Sequence, residues 1–202
     1  NIERPIWFRR SVRLGVKGPR SLVVVDSVGL HHGEKGGAFL AARCDNPVAI
    51  RATGLVKRFG DHVAVAGLDL AVANGELFSL LGPNGAGKTT TIKMLCCLLR
   101  PSGGTASILG HDIATDPLAV KQVIGVSPQE TAVAPNLNAW ENLALMAGLH
   151  GIDTRRTRRR SEELLEVTGL ASRARDKAKQ YSGGMQRRLS IAMALVSDPK
   201  VV

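Results

Sequence analysis

No stretch of this 202-residue chain approaches the roughly 20 consecutive apolar residues that a membrane-spanning helix requires. If a membrane is involved, another chain must cross it. Aromatic side chains are scarce, 3% of residues against 44% hydrophobic overall, so the core is expected to be built of Leu, Val, Ala and Ile. Cysteines are few as well. Cys44, Cys96 and Cys97 have no metal-ligand spacing, and the adjacent pair falls in an apolar stretch where thiols act as small hydrophobes. A reducing, cytoplasmic setting is the default expectation. Acidic residues are in deficit, 17 Asp and Glu against 27 Lys and Arg, for a formal net charge of +10. Such a balance suits an acidic partner, so its distribution matters. Residues 1–46 hold eight Lys or Arg against four Asp or Glu, which leaves nineteen against thirteen in the rest. Much of the remaining excess is the run Arg155 to Arg160, the pattern of a solvated helix face. The charge, once divided, argues against nucleic acid as the partner.

Residues 1–46 show no sustained period of two or 3.6, mix Pro, Gly and Arg, and contain one short apolar run, Leu22 to Val25. They read as a basic extension, disordered or spurious, ahead of a domain spanning 47–202. The first residue is Asn1, which fits a fragment, a processed product or a translation begun upstream.

The stretch that organises the domain is GPNGAGKTT, Gly82 to Thr90, with the apolar run Leu77 to Leu81 before it and TIKMLCCLL after it. It reads as strand, glycine loop and helix, with the P-loop spacing of Gly82, four residues, Gly87, Lys88 and Thr89. Gly82, Gly85 and Gly87 let the backbone approach phosphate oxygens or take dihedrals that a Cβ would block. Pro83, Asn84 and Ala86 complete the loop, and the helix that follows aims its unpaired N–H groups and positive dipole end at the anion. Lys88 is placed to reach the β- and γ-phosphates, Thr89 to offer its hydroxyl to Mg2+, and Thr90 to contact the α-phosphate side. A kinase, a GTPase and a transporter motor all remain open on this motif alone.

Around it, alternating apolar positions from Val48 onward, punctuated by Gly60-Asp61 and Asn74-Gly75, predict two or three strands leading into the P-loop strand. A buried helix is expected over Thr90 to Leu99, a strand over Thr105 to Leu109, a helix from Pro117 to Val123 capped by Asp116, and a strand-like stretch at Ile124 to Ser127. Beyond Gln129 the pattern turns helical. Asn138 and Glu141 form a capping box for a helix that stops near Gly148 or Gly151. A second helix starts near Asp153, with the Arg run on one side and Leu164, Leu165 and Val167 on the other. A third begins just after Tyr181-Ser182-Gly183-Gly184-Met185, and Lys200 opens a further strand.

YSGGM immediately before a helix places Ser182, Gly183 and Gly184 at a second helix N-terminus, another ready anion site. At this point the chain resembles the ATP-binding subunits of ABC transporters over about Val48 to Val202. GPNGAGKTT is similar to the Walker A loop, and Phe59, ahead of it, to the aromatic residue that stacks on adenine. Gln129 in VSPQE is similar to the Q-loop glutamine, and YSGGMQRRL to the signature. Tyr181 and Met185 depart from the commoner LSGGQ, and such versions resemble exporters of the drug- and antibiotic-resistance group, including the daunorubicin-resistance type.

The resemblance implies an α/β P-loop NTPase core, a mixed sheet with an antiparallel part near its start, plus a helical subdomain at about 130–190. It implies ATP and Mg2+ as ligands, with Phe59 stacking on the base, Lys88 and Gln129 serving the reaction, and Thr89 and Gln129 near the metal. Ser182, Gly183 and Gly184 would bind the γ-phosphate held by a second ATP-binding subunit, so two chains pair head to tail. Met185 puts a thioether where the commoner signature has an amide, removing one possible hydrogen bond. The helical part would meet transmembrane permease subunits, placing the protein at the cytoplasmic face of the membrane. The Walker B Asp and Glu and the later His of the family fall beyond Val202, so the C-terminal part of the domain is missing and ATP binding with weak hydrolysis is expected of this chain. Two alternatives stand beside an exporter ATPase: a soluble ABC-type ATPase serving nucleic-acid or translation machinery, and a truncated nucleotide-binding module that does not hydrolyse ATP.

Overall fold

The computed structural model describes residues 47–202 apart from Gln129 and Thr131, and, before them, the backbone of residues 8–9 and 22–25. The chain divides into two compact units, one reaching to Val123 and taking in Val201, the other Ile124–Lys200 with Val202.

The first unit is organised around a long hairpin of β3 (Val48–Phe59) and β4 (His62–Ala73), turned through Gly60 in the left-handed region. The two strands pair from Val48 opposite Ala73 to Phe59 opposite His62, with bulges on the way. Gly54, at φ 55°, lies in the bulge between Ala52 and Leu55, and the Asp69 carboxylate accepts its N–H at 2.8 Å. On the other side of β3 lie β6 (Gly103–Ile108) and then β7 (His111–Asp112), giving the antiparallel order β4-β3-β6-β7. Alternation turns Ile50, Leu55, Leu70, Val72 and Ile108 inward, where they are buried, and each such side chain contributes about 1.5–3 kcal/mol.

The P-loop strand β5 (Leu77–Leu80) belongs to a second sheet of order β1-β5-β2. β1 (Phe8–Arg9) pairs with it antiparallel and β2 (Leu22–Val25) parallel, so both described stretches of the expected extension are in backbone pairing with β5. The remainder of 1–46 lies outside the described residues. Helix α1 (Lys88–Leu95) starts earlier and ends sooner than the sequence predicts, because Gly87 launches it directly and Cys97, at φ 55°, leaves the right-handed region. Cys96 and Cys97 are free, half-buried thiols, and burial with the neighbouring Cys97 pushes the Cys96 thiol up to about 11. Helix α2 (Pro117–Val123) follows Asp116 as expected, with the Asp116 carboxylate accepting the Ala119 N–H at 3.4 Å.

The second unit is a helical bundle of α3 (Ala139–Leu149), α4 (Thr154–Val167) and α5 (Gly183–Leu195). The predicted capping box is present in full: Asn138 Oδ1 accepts from Glu141 N at 3.0 Å, and Glu141 Oε2 accepts from Asn138 N at 2.7 Å. Asp153 caps α4, whose arginines lie along an exposed face in pairs such as Arg158–Glu162 at 3.4 Å, each worth little in water. Leu164 and Leu165 are buried, but Val167 is 84% exposed, against expectation. The chain turns at Gly169, at φ 65°, and Leu170 enters the core in place of Val167, its N–H bonded to the Leu165 carbonyl at 2.8 Å. Ile124 to Ser127 falls short of the expected strand: Ile124 takes part in a β-bridge, and residues 125–127 have no regular structure. The stretch runs against α5 instead, so closely that a Cβ on Gly125 would lie 2.2 Å from the Ala194 carbonyl oxygen.

Candidate functional site

The chain from Gly82 to Thr90 connects the end of β5 to the first turn of α1. Gly85 and Gly87 are both left-handed, at φ 85° and 79°, the geometry that turns successive N–H groups toward one concavity. Gly87 is required twice over, since a Cβ there would also lie 2.3 Å from the Ala64 carbonyl oxygen of β4. As N-cap of α1 it brings no side-chain cap, and the first turn holds no acidic residue. The first intrahelical bond is Thr91 N to Gly87 O at 2.8 Å, so the N–H groups of Lys88, Thr89 and Thr90 precede it and point off the helix end. Lys88 is buried, and its ammonium donates to the Gly82 and Pro83 carbonyls at 2.5 and 2.8 Å. A cation, N–H groups at the helix start and a helix dipole thus converge within nine residues, a donor set that fits an anion such as a polyphosphate. Thr89 and Asn84 are both exposed.

Phe59 ends β3 in the same unit and is 50% exposed, a ring that its own chain leaves half in water. Gln129 lies outside the described residues, and among the described residues no cluster of His, Cys, Asp or Glu could hold a metal ion.

In the second unit, Ser182 is the N-cap of α5 and its hydroxyl accepts from Met185 N at 3.3 Å, so the helix begins within SGG rather than after it. Gly183 and Gly184 have open space where a Cβ would stand. Among the described residues nothing demands glycine at these two positions. Tyr181 is buried and its hydroxyl donates to the Arg173 carbonyl at 2.8 Å, which fastens the turn ahead of Ser182; burial raises its phenol above the usual range. Met185 packs against the apolar cluster of the bundle.

Four polar residues that the sequence does not single out hold this unit in shape. Asn142 is fully buried; its Oδ1 accepts from Ala134 N at 2.8 Å and its Nδ2 donates to the Ala134, Leu137 and Asn138 carbonyls. An Asn one turn inside an apolar helix was the available signal. Arg187 of α5 donates to the Pro128 carbonyl, and Ser127 and Ser190 hydroxyls meet at 3.1 Å. Together with Gly125 against Ala194, these contacts lay residues 125–128 antiparallel along α5.

The ABC transporter family model matches residues 65–202. A daunorubicin resistance ATP-binding protein of Streptomyces coeruleorubidus is 46% identical over 154 residues, 76% of this chain and 49% of that protein. A linearmycin resistance ATP-binding protein of Bacillus subtilis is 39% identical over 153 residues, 76% of this chain and 49% of its own length. A Nod factor export ATP-binding protein of Cupriavidus metallidurans is 42% identical over 146 residues, with 72% and 48% covered. The chain spans about half the length of the curated relatives it matches. A solved structure described as an ATP binding subunit of an ABC transporter superposes with a TM-score of 0.67 at 28% identity, over 75% of this chain and 63% of that one.

Proposed function

The chain belongs to the ABC transporter ATP-binding family, and from that premise we propose that it binds ATP with Mg2+ and, within its whole protein, hydrolyses it to power an exporter of drugs, antibiotics or lipophilic compounds. The observation that carries this reading is Lys88, buried at the uncapped, acid-free start of α1 with its ammonium on the Gly82 and Pro83 carbonyls. An ammonium so held moves a short way to the β- and γ-phosphates, and the N–H groups at the start of α1 face the same anion. The drug-resistance and export names of the relatives support the choice of transported compounds.

In this reading Gly82, Pro83, Asn84, Gly85, Ala86 and Gly87 wrap the phosphate chain, Thr90 contacts its α-phosphate side, and Phe59 stacks on the adenine. Thr89 and Gln129 hold Mg2+, which when bound supplies neutralisation of charge on the phosphate oxygens. Gln129 also orients the groups around the γ-phosphate. Ser182, Gly183 and Gly184 close on the nucleotide of a second ATP-binding subunit, paired head to tail. The two glycines on α5 support this, because glycine costs up to about 1 kcal/mol relative to Ala in a helix and no described neighbour requires it. No described helix is long and apolar enough to cross a membrane, and we place the protein at the cytoplasmic face, held there by permease subunits.

Isothermal titration of the 202-residue chain with ATP and Mg2+ tests the reading. Lys88→Ala is expected to weaken binding at least tenfold, about 1.4 kcal/mol or more, which is in the range of one charge-assisted contact. Equal affinity in the two proteins would sink the proposal.

A further inference from the structure

We propose that Lys57 is a positioning residue for base stacking, its ammonium covering one face of the Phe59 ring so that the adenine has a single, fixed face to meet. The inference rests on Phe59 as the base platform. Lys57 precedes Phe59 by two residues on β3, and its Nζ lies 5.1 Å from the ring centroid, within cation–π range. The same ammonium donates to the Arg100 carbonyl at 2.8 Å, which keeps it over the ring instead of out in water. Two more bonds fasten the same stretch: Arg58 N donates to Ser102 Oγ at 3.1 Å, and Ser102 N to the Val56 carbonyl at 2.8 Å.

Residues 100–102 follow α1, whose first turn is entered from the glycine loop. The end of β3 that carries the ring is therefore tied by three hydrogen bonds to the chain leaving the phosphate-binding helix, and Lys57 alone of the three also touches the ring. The electronic consequence follows from the ring quadrupole. Two π-faces repel when stacked directly, because both are negative, and a cation on the far side draws that density away from the open face. Lys57 thus orients the ring and tunes it for a base.

The test compares ATP with inorganic tripolyphosphate, which carries phosphate charge and no base, on the full chain with Mg2+. Lys57→Met is expected to weaken ATP about three- to fivefold, the size of an exposed cation–π contact, and to leave tripolyphosphate unchanged. Lys57→Arg, which keeps a cation over the ring, holds ATP affinity within about twofold. In a Phe59→Leu background, Lys57→Met has no further effect. Equal weakening of both ligands by Lys57→Met overturns the inference, since Lys57 would then act on phosphate; so does an unchanged ATP affinity when Phe59→Leu lowers it. A Phe59→Leu protein with intact ATP binding, beside a Lys88→Ala protein that binds neither ligand, rejects the base platform while sparing the phosphate site. Lys88→Ala that changes neither ligand rejects the nucleotide site itself. Thermal melting of each free variant excludes unfolding, and Lys57→Gln repeats the measurement where Lys57→Met melts early.

Discussion

Helices α1 and α5 both begin where a glycine-rich turn meets a helix, yet the chain prepares the two ends differently. At α1 the fold itself demands the glycine: Gly87 is left-handed and the β4 backbone fills the place of its Cβ. Its own chain also supplies a buried cation, Lys88. At α5 the cap is an ordinary serine in extended conformation, Ser182, already bonded to Met185 N. Gly183 and Gly184 stand in open space, and the cationic side chain of Arg187 is committed to the Pro128 carbonyl. A glycine imposed by its own fold and a glycine that its own fold does not need carry different information. The first describes a turn that its own chain dictates, and the second a helix start whose surface is left open.

Substitutions at the two ends separate these cases. Gly87→Ala is expected to destabilise the first unit by about 3 kcal/mol, from left-handed strain and collision with the Ala64 carbonyl, seen as a lower thermal midpoint and lost ATP binding. Gly184→Ala has the opposite sign. It is expected to stabilise the second unit by about 0.5–1 kcal/mol through helix propensity while abolishing ATP-dependent pairing of two chains, as read by light scattering. A destabilised Gly184→Ala protein would erase the contrast between the two ends.

The smallest effect concerns alkali. The folded first unit keeps the Cys96 proton between pH 9.0 and about 11, where the unfolded chain releases it, so stability falls as pH rises through that window. Tyr181 in the second unit is likewise raised by burial, from 10.0, so its contribution is lost from a higher starting pH. Hydrogen exchange across an alkaline series should show α1 loosening before the turn at Tyr181. The reverse order would mean that the thiol is wetter than its burial implies.

Much of this was legible in the sequence because it is encoded over short spans. The P-loop glycines, the Asn138–Glu141 box, the helix start near Asp153 and the one at SGG each need only a few residues at fixed spacing. The failures are tertiary. The end of α1 depends on a left-handed Cys97, a conformation that residue type does not announce. Leu170 displaces Val167 from the core because of a turn geometry that helical periodicity ignores. Ile124 to Ser127 has strand composition, but its neighbour is a helix. The packing of Lys57 over Phe59 also escaped, since strand alternation puts them on one side without saying that they touch.

The alignment of residues 125–128 along α5 has a mechanical meaning. Gly125 abuts Ala194, Ser127 meets Ser190, and Pro128 is held by Arg187, three fixings spaced down a helix of 13 residues, roughly 20 Å long. The last of them is the nearest to Ser182. One contact would act as a pivot, whereas three at different heights resist swinging and sliding together. Residues 125–128 are therefore strapped along α5 within the second unit, lying on the helix as a splint lies on a limb.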